Sequence, residues 1–120
     1  MAKIKIKTIT ENKEGKSKYE GPAIKNKNTI TYNDNGVVTK ITIDDVITIE
    51  RKKDYEIIIK LKKGIKLEGS YNTKYGKLKL EAKAKQIEKQ ENTTKIKYDL
   101  IINNKYVDTF MYYYEYSIDS

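Results

Sequence analysis

An antiparallel β-barrel in a single domain is the fold class this sequence predicts, and three observations predict it. Turn-forming clusters recur along the chain at the ~8–12-residue spacing of an all-β meander. The runs between them are rich in Ile, Val, Thr and Tyr, which suit a pleated, half-buried surface. Within the runs apolar and polar side chains alternate with period two, the pattern of strands that bury one face. A meander of short strands removes its exposed edges by closing on itself. We therefore expect an up-and-down barrel of about eight to ten strands over residues 1–120.

Each element follows in chain order. Ile4 and Ile6 face one way while Lys3, Lys5 and Lys7 face the other. Glu11 and Glu14 flank Gly15 in what reads as the longest loop. Pro22, the single proline, belongs at a strand end, an edge or a bulge beside Gly21, because it has no N–H to donate to a ladder. Ile30 and Tyr32 oppose Thr29, Thr31 and Asn33, and Asn33-Asp34-Asn35-Gly36 is a hairpin signal. Val37, Thr39, Ile41 and Ile43 then oppose Val38, Lys40 and Thr42. Asp44-Asp45 and Lys52-Lys53-Asp54 are the next turns, with Ile47, Ile49 and Arg51 sharing one face between them. Ile57, Ile59 and Leu61 oppose Glu56, Ile58 and Lys60 before Lys62-Lys63-Gly64, and Tyr75-Gly76 turns the chain again. Leu78, Leu80, Ala82 and Ala84 oppose Lys77, Lys79, Glu81, Lys83 and Lys85. The stretch from Leu80 to Glu91 also fits a helical stripe through Leu80, Ala84 and Ile87, and the period-two run leading into it favours strand. Glu91-Asn92-Thr93 and Asn103-Asn104-Lys105 bound a last pair of strands in which Ile96, Tyr98 and Leu100 oppose Lys95, Lys97 and Asp99. The interior should hold Ile41, Ile43, Ile57, Ile59, Leu67, Leu78, Leu80, Ile96, Tyr98 and Leu100.

Composition removes several classes of chemistry. The chain has no His, no Cys and no Trp, so disulfide scaffolds, zinc and haem sites, Cys nucleophiles and Ser-His pairs are excluded. No carboxylate pair shares a predicted buried face, and neither a phosphate loop nor a metal-ligand spacing is present. We expect no enzyme, no cofactor and no metal. No apolar run approaches the ~18 residues of a membrane span, and Met1–Thr10 alternates Lys with Ile rather than forming a signal-peptide core. A cytoplasmic protein is the expectation. The net charge of +8 attracts phosphate-bearing partners, but Lys, Ile, Tyr and Asn all have A/T-rich codons, and a genome poor in G and C produces the same profile.

Across Gly21 to Tyr116 the chain resembles the YwiB-like family, uncharacterised small bacterial proteins, mostly from Firmicutes, with a calycin-like (lipocalin-related) barrel. The resemblance is carried by Gly21, Ile30-Thr31-Tyr32, Gly36-Val37-Val38-Thr39-Lys40-Ile41 and Val46-Ile47-Thr48-Ile49-Glu50-Arg51. It continues through Tyr71-Asn72-Thr73-Lys74-Tyr75-Gly76-Lys77-Leu78-Lys79-Leu80, Ile87 and Ile96-Lys97-Tyr98-Asp99-Leu100. Lys53-Asp54 stands where the family has a glycine-containing turn. The resemblance implies a fold and no activity.

Three residue groups are candidates for function. Arg51 shares the face of Ile47 and Ile49, so its guanidinium enters the barrel, where it could clamp a carboxylate or phosphate with the help of Tyr32 and Tyr98. A cation there needs a partner, and we expect a protein carboxylate or backbone carbonyls rather than a bound anion. Tyr112, Tyr114 and Tyr116 could form an outward aromatic stripe for a protein or nucleic-acid partner, or one face of their strand could complete the core. The lysine rows Lys3/Lys5/Lys7, Lys77/Lys79/Lys83/Lys85 and Lys95/Lys97 read as a solvated face, because nucleic-acid-binding sheets place exposed aromatics between such lysines. Two function classes stand open. One is a binding barrel for a small amphipathic or anionic molecule, which needs a cavity of at least ~300 Å³. The other is an interaction module that uses its basic, Tyr-rich exterior, with nucleic acid the less expected partner. Any nucleic-acid affinity of such a surface is electrostatic, so in gel shifts it should weaken steeply from low to physiological salt.

Overall fold

A computed structural model describes residues 1–118 and shows an all-β barrel. Twelve strands follow in order: β1 (Ala2–Asn12), β2 (Gly15–Asn26), β3 (Thr29–Asp34), β4 (Val37–Thr42), β5 (Ile47–Lys52), β6 (Glu56–Leu61), β7 (Lys66–Glu68), β8 (Ser70–Thr73), β9 (Gly76–Leu78), β10 (Leu80–Lys89), β11 (Thr93–Ile102) and β12 (Lys105–Ile118). All pair antiparallel in one sheet, in the order β7-β10-β11-β12-β1-β2-β3-β4-β5-β6-β8-β9. The strand count exceeds the expected eight to ten because residues 66–78, one short passage, are broken into three pieces. No helix is present among the described residues, and so none long and apolar enough to cross a membrane.

Most connections are tight turns with residues that tolerate positive φ. Asn35-Gly36 and Asn103-Asn104 join β3 to β4 and β11 to β12, with φ of 52°, 91°, 51° and 65°. The Asn33 side chain accepts the Gly36 N–H at 2.7 Å. The expected long loop around Glu11 and Glu14 is instead a hairpin, with Asn12 paired to Gly15. Period-two alternation extends through Thr8 and Thr10 on one side and Ser17 and Tyr19 on the other, and these polar residues pair as well as apolar ones do. The turn at Lys53-Asp54-Tyr55 forms without glycine, its Lys53 N–H donating to the Tyr55 carbonyl at 3.0 Å.

Leu80–Lys89 is strand, and its ambiguous pattern has a local cause. The register shifts between Ala84 and Gln86, a β-bulge that inserts Lys85. Before the bulge Leu80, Ala82 and Ala84 are buried; after it the face is carried by odd positions, and Ile87 meets Ile96. One extra residue in a strand thus imitated a helical stripe.

The N- and C-terminal strands lie side by side, β1 on β12, so the barrel is not closed by its ends. It closes where β6 meets β10. Lys62 bridges Ile65, Lys63 bridges Ala84, and the Gly64 N–H donates to the Ala84 carbonyl at 2.9 Å. At Gly69 the chain leaves β10 for β6: its N–H donates to the Leu80 carbonyl at 2.9 Å, while its Cα lies against the Ile58 carbonyl. A Cβ there would stand 2.0 Å from that oxygen. Only glycine lets two backbones approach so closely.

Inside, cross-strand partners form rows. Ile30, Ile41, Ile49 and Ile59 are successive partners across β3 to β6 and all are buried. Of the expected interior residues, Ile41, Ile59, Leu80, Ile96 and Tyr98 are buried, whereas Ile43, Ile57, Leu67, Leu78 and Leu100 are half-buried. Ile96→Ala and Leu80→Ala should each cost ~2–5 kcal/mol in urea unfolding, as large-to-small core changes do. Gly69→Ala should cost ~1–3 kcal/mol or more by overpacking the seam, and Lys95→Ala less than ~0.5 kcal/mol. A neutral Gly69→Ala would place the closing contact elsewhere.

Candidate functional site

Two residues along each strand from the isoleucine row, the interior turns polar. The next row of partners is Tyr32, Thr39, Arg51, Ile57, Tyr71 and Leu78, running across β3, β4, β5, β6, β8 and β9. Pairing places Arg51 between buried Thr39 and half-buried Ile57, on the inner face as its parity predicted. Its charge reaches across the barrel to Tyr98 and Tyr112, where it favours the phenolate. The Tyr32 and Tyr112 hydroxyls meet at 2.8 Å. One guanidinium, one threonine and three tyrosines therefore converge from five strands.

The polar groups here are not all satisfied. Among the described residues, two buried side-chain polar atoms have no hydrogen-bond partner on the protein: Arg51 Nε and Thr39 Oγ1. They belong to one cross-strand pair. Among the described residues no carboxylate pairs with Arg51, where one was expected: every ion pair there joins a lysine to Glu11, Glu20, Glu81 or Asp99. The buried carboxylate, Asp108, is used elsewhere: it accepts the Lys13 N–H at 3.1 Å and the Thr109 N–H at 2.8 Å. A buried donor without a partner costs ~1–3 kcal/mol, and here two such atoms lie on paired residues.

Two clefts touch the ends of this row, one at Tyr32 and one at Tyr71 and Leu78, and neither is lined by Thr39 or Arg51. One, of about 480 Å³, lies between β2 and β3 and is lined by Ile4, Pro22, Ala23, Ile24, Tyr32 and Val38 among others. The second, of about 860 Å³, lies at the β8–β9 hairpin against Tyr55, Tyr71, Tyr75 and Leu78. Tyr55 packs edge-on against Tyr71 at 6.3 Å.

The tyrosine stripe requires a correction. Tyr112 and Tyr114 are buried and Tyr116 is half-buried against the core, so this series faces inward rather than presenting an interaction surface. Their partners settle it: Tyr112 pairs with Ile96, Tyr114 with Thr94 and Tyr116 with Ile6, all interior positions. Tyr112 thereby joins Tyr32 and Arg51, a meeting of distant strands that no local pattern displayed. Thr39, too, went unmarked in the sequence, because a threonine on an apolar face is ordinary in a strand. The lysines of the three rows are exposed, and several pair with carboxylates, Lys5 with Glu20 at 3.8 Å and Lys85 with Asp99 at 3.4 Å.

The model of a family described as a domain of unknown function, DUF1934, matches residues 2–113. The fold is similar to that in the crystal structure of the ywiB protein from Bacillus subtilis, with a TM-score of 0.59 at 15% identity, over 94% of this chain and 89% of that one. No curated protein sequence matches.

Burial pushes the Tyr98 phenol up to about 12, against a smaller opposing pull from Arg51, and raises Tyr112 as well. Folding favours the neutral phenol, so the stabilisation is complete below pH 10, the ordinary value, and is lost as pH rises towards 12. For Tyr98 this amounts to about 2–3 kcal/mol. Urea midpoints measured from pH 8 to 11.5 should fall less steeply for Tyr98→Phe than for wild type. Parallel curves would mean that the hydroxyl is not desolvated.

Proposed function

The chain belongs to the DUF1934 family, and from the interior just described we propose that it is a non-enzymatic binding barrel for a small molecule with an anionic head group. The observation that carries this reading is the facing pair of unpartnered donors, Arg51 Nε and Thr39 Oγ1. A carboxylate or phosphate oxygen accepts from both, and its charge offsets that of the guanidinium in a site where water screening is weak. The Tyr32 and Tyr112 hydroxyls supply two more groups at the same end, and in their mutual bond one acts as donor and leaves the other's proton free. Binding needs no chemistry from these residues. Their arrangement holds and orients.

The alternative exterior reading has less behind it. Tyr112 and Tyr114, the aromatics that reading relied on, are buried.

Arg51→Met separates ligand binding from structure. A screen of carboxylic acids and phosphorylated metabolites by thermal unfolding should find compounds that raise the wild-type melting temperature by several degrees at ~100 times Kd. The mutant should lose that rise and keep most of its stability without ligand, since Arg51 makes no ion pair among the described residues. If Arg51→Met instead loses several kcal/mol without any ligand, the cation serves the fold and the reading fails.

A further inference from the structure

The β5–β6 and β8–β9 turns are neighbours, because the register carries Lys52 to Glu56, Glu56 to Asn72 and Asn72 to Lys77. The 860 Å³ cleft lies between them and takes aromatic rings from both sides: Tyr55 just before β6, Tyr71 on β8 and Tyr75 at the hairpin tip. Tyr55 and Tyr71 meet edge-on at 66°, so neither is stacked on the other. Tyr75 is 88% exposed, the most exposed aromatic ring among the described residues, and contributes nothing to the core. The backbone that carries it is nevertheless held. The Thr73 hydroxyl accepts the Tyr75 N–H at 3.1 Å and donates to the Gly76 carbonyl at 3.0 Å, while Gly76 keeps a φ of 131° that L side chains rarely adopt. A tip ordered in advance has less backbone entropy to lose on binding.

The charge around this cleft is basic. Lys74 and Lys77 line it, and the Lys74 ammonium lies 5.0 Å from the centre of the Tyr75 ring. In the facing turn Lys52-Lys53 precede Asp54 and Tyr55. All four lysines are exposed, and none of the four joins an ion pair among the described residues, whereas Lys5, Lys79 and Lys85 of the sheet faces do. Asp54 is the one acid on the lining, and Glu56 next to it accepts from the Asn72 amide at 3.4 Å.

We infer that this cleft, distinct from the interior site around Arg51, binds single-stranded nucleic acid, with a base stacked on Tyr75 and phosphates held by Lys74 and Lys77. An exposed aromatic between lysines is the arrangement such a strand needs, since every base has a π-face and every linkage a negative charge. Asp54 is an acceptor for a base's exocyclic amino group. A carbohydrate also stacks on tyrosine, but a neutral one has no charge for the unpaired ammonium groups to meet. β9 is the last strand in the sheet order, with none hydrogen-bonded beyond it, so a strand longer than the cleft can run on past that edge. A duplex keeps its base faces covered and does not fit this mode.

The experiment is fluorescence anisotropy with a labelled oligothymidylate of about twelve nucleotides, titrated at several salt concentrations. Wild type should bind the single strand about tenfold or more tightly than a duplex of the same length, and more weakly as salt rises. Tyr75→Ala should weaken binding about five- to a hundredfold, the worth of one stacked base, while Tyr75→Phe, which keeps the ring, should stay within about twofold of wild type. Both variants should melt with wild type, because the side chain is exposed. Lys74→Gln/Lys77→Gln should reduce the slope of log affinity against log salt by about 1.4, the share of two phosphate contacts on a single strand. Lys95→Gln/Lys97→Gln, which removes the same charge from β11, should leave the slope as it is. Binding that ignores Tyr75→Ala, or that the β11 pair weakens as much as the cleft pair does, is attraction to the whole basic surface and overturns the site. Absence of binding even at low salt overturns it as well. Thymidine monophosphate bound as tightly as the oligomer would make the cleft a small-ligand site, and Tyr75-dependent binding of a neutral oligosaccharide in place of the oligomer would make it a sugar site; either result overturns the inference.

Discussion

Closure of the sheet between β6 and β10 is the constraint from which the rest of this structure follows. Twelve antiparallel strands leave two edges, and an open edge of that length would pair with another chain. Here the seam is made by a handful of backbone contacts at Lys62–Gly64 and Gly69 rather than by a long ladder. Such a seam needs the two backbones closer than ordinary strand spacing, which is why Gly69 stands where it does. Because the seam lies in the middle of the sequence, the two terminal strands are free to pair with one another.

Closing the sheet turns one face into an interior, and the interior has a gradient along its axis. The row Ile30-Ile41-Ile49-Ile59 supplies burial without specificity. The adjacent row, with Tyr32, Thr39 and Arg51, costs stability through unmade hydrogen bonds, and Tyr98 and Tyr112 face it from the far wall. A fold held together by its isoleucine end can carry a polar end that it does not need for folding. The β2–β3 ladder ends at Ile24–Thr31, and the cleft beyond it is lined by Tyr32 and Pro22 among others.

Much of this was legible in the residues. The inward direction of Arg51 followed from the parity it shares with Ile47 and Ile49, and pairing with Thr39 and Ile57 agrees. The faces at 3–7, 29–33, 37–43 and 56–61 followed from the same alternation. What misled was anything that broke period two or depended on a distant strand. The Lys85 bulge made a strand resemble a helix. Glu11 and Glu14 looked like loop residues because polarity on both faces hides a hairpin. Tyr112, Tyr114 and Tyr116 alternate correctly, but alternation names two faces without saying which one is inside when both are aromatic.

By itself, then, the sequence determined the all-β class, the positions of most turns, the inner face of each strand with a clear apolar side, and the chemistry that cannot occur without His or Cys. These are local properties, set by backbone preferences and by the transfer of neighbouring side chains from water. Tertiary structure alone decided that Tyr112 meets Tyr32, that Arg51 Nε has no hydrogen-bond partner among the described residues, that the barrel closes at Gly69 and that the β2–β3 ladder ends near Pro22. Each of those depends on which strands become neighbours across a closed sheet, and strand adjacency is settled by the register and curvature of the whole barrel rather than by any one segment.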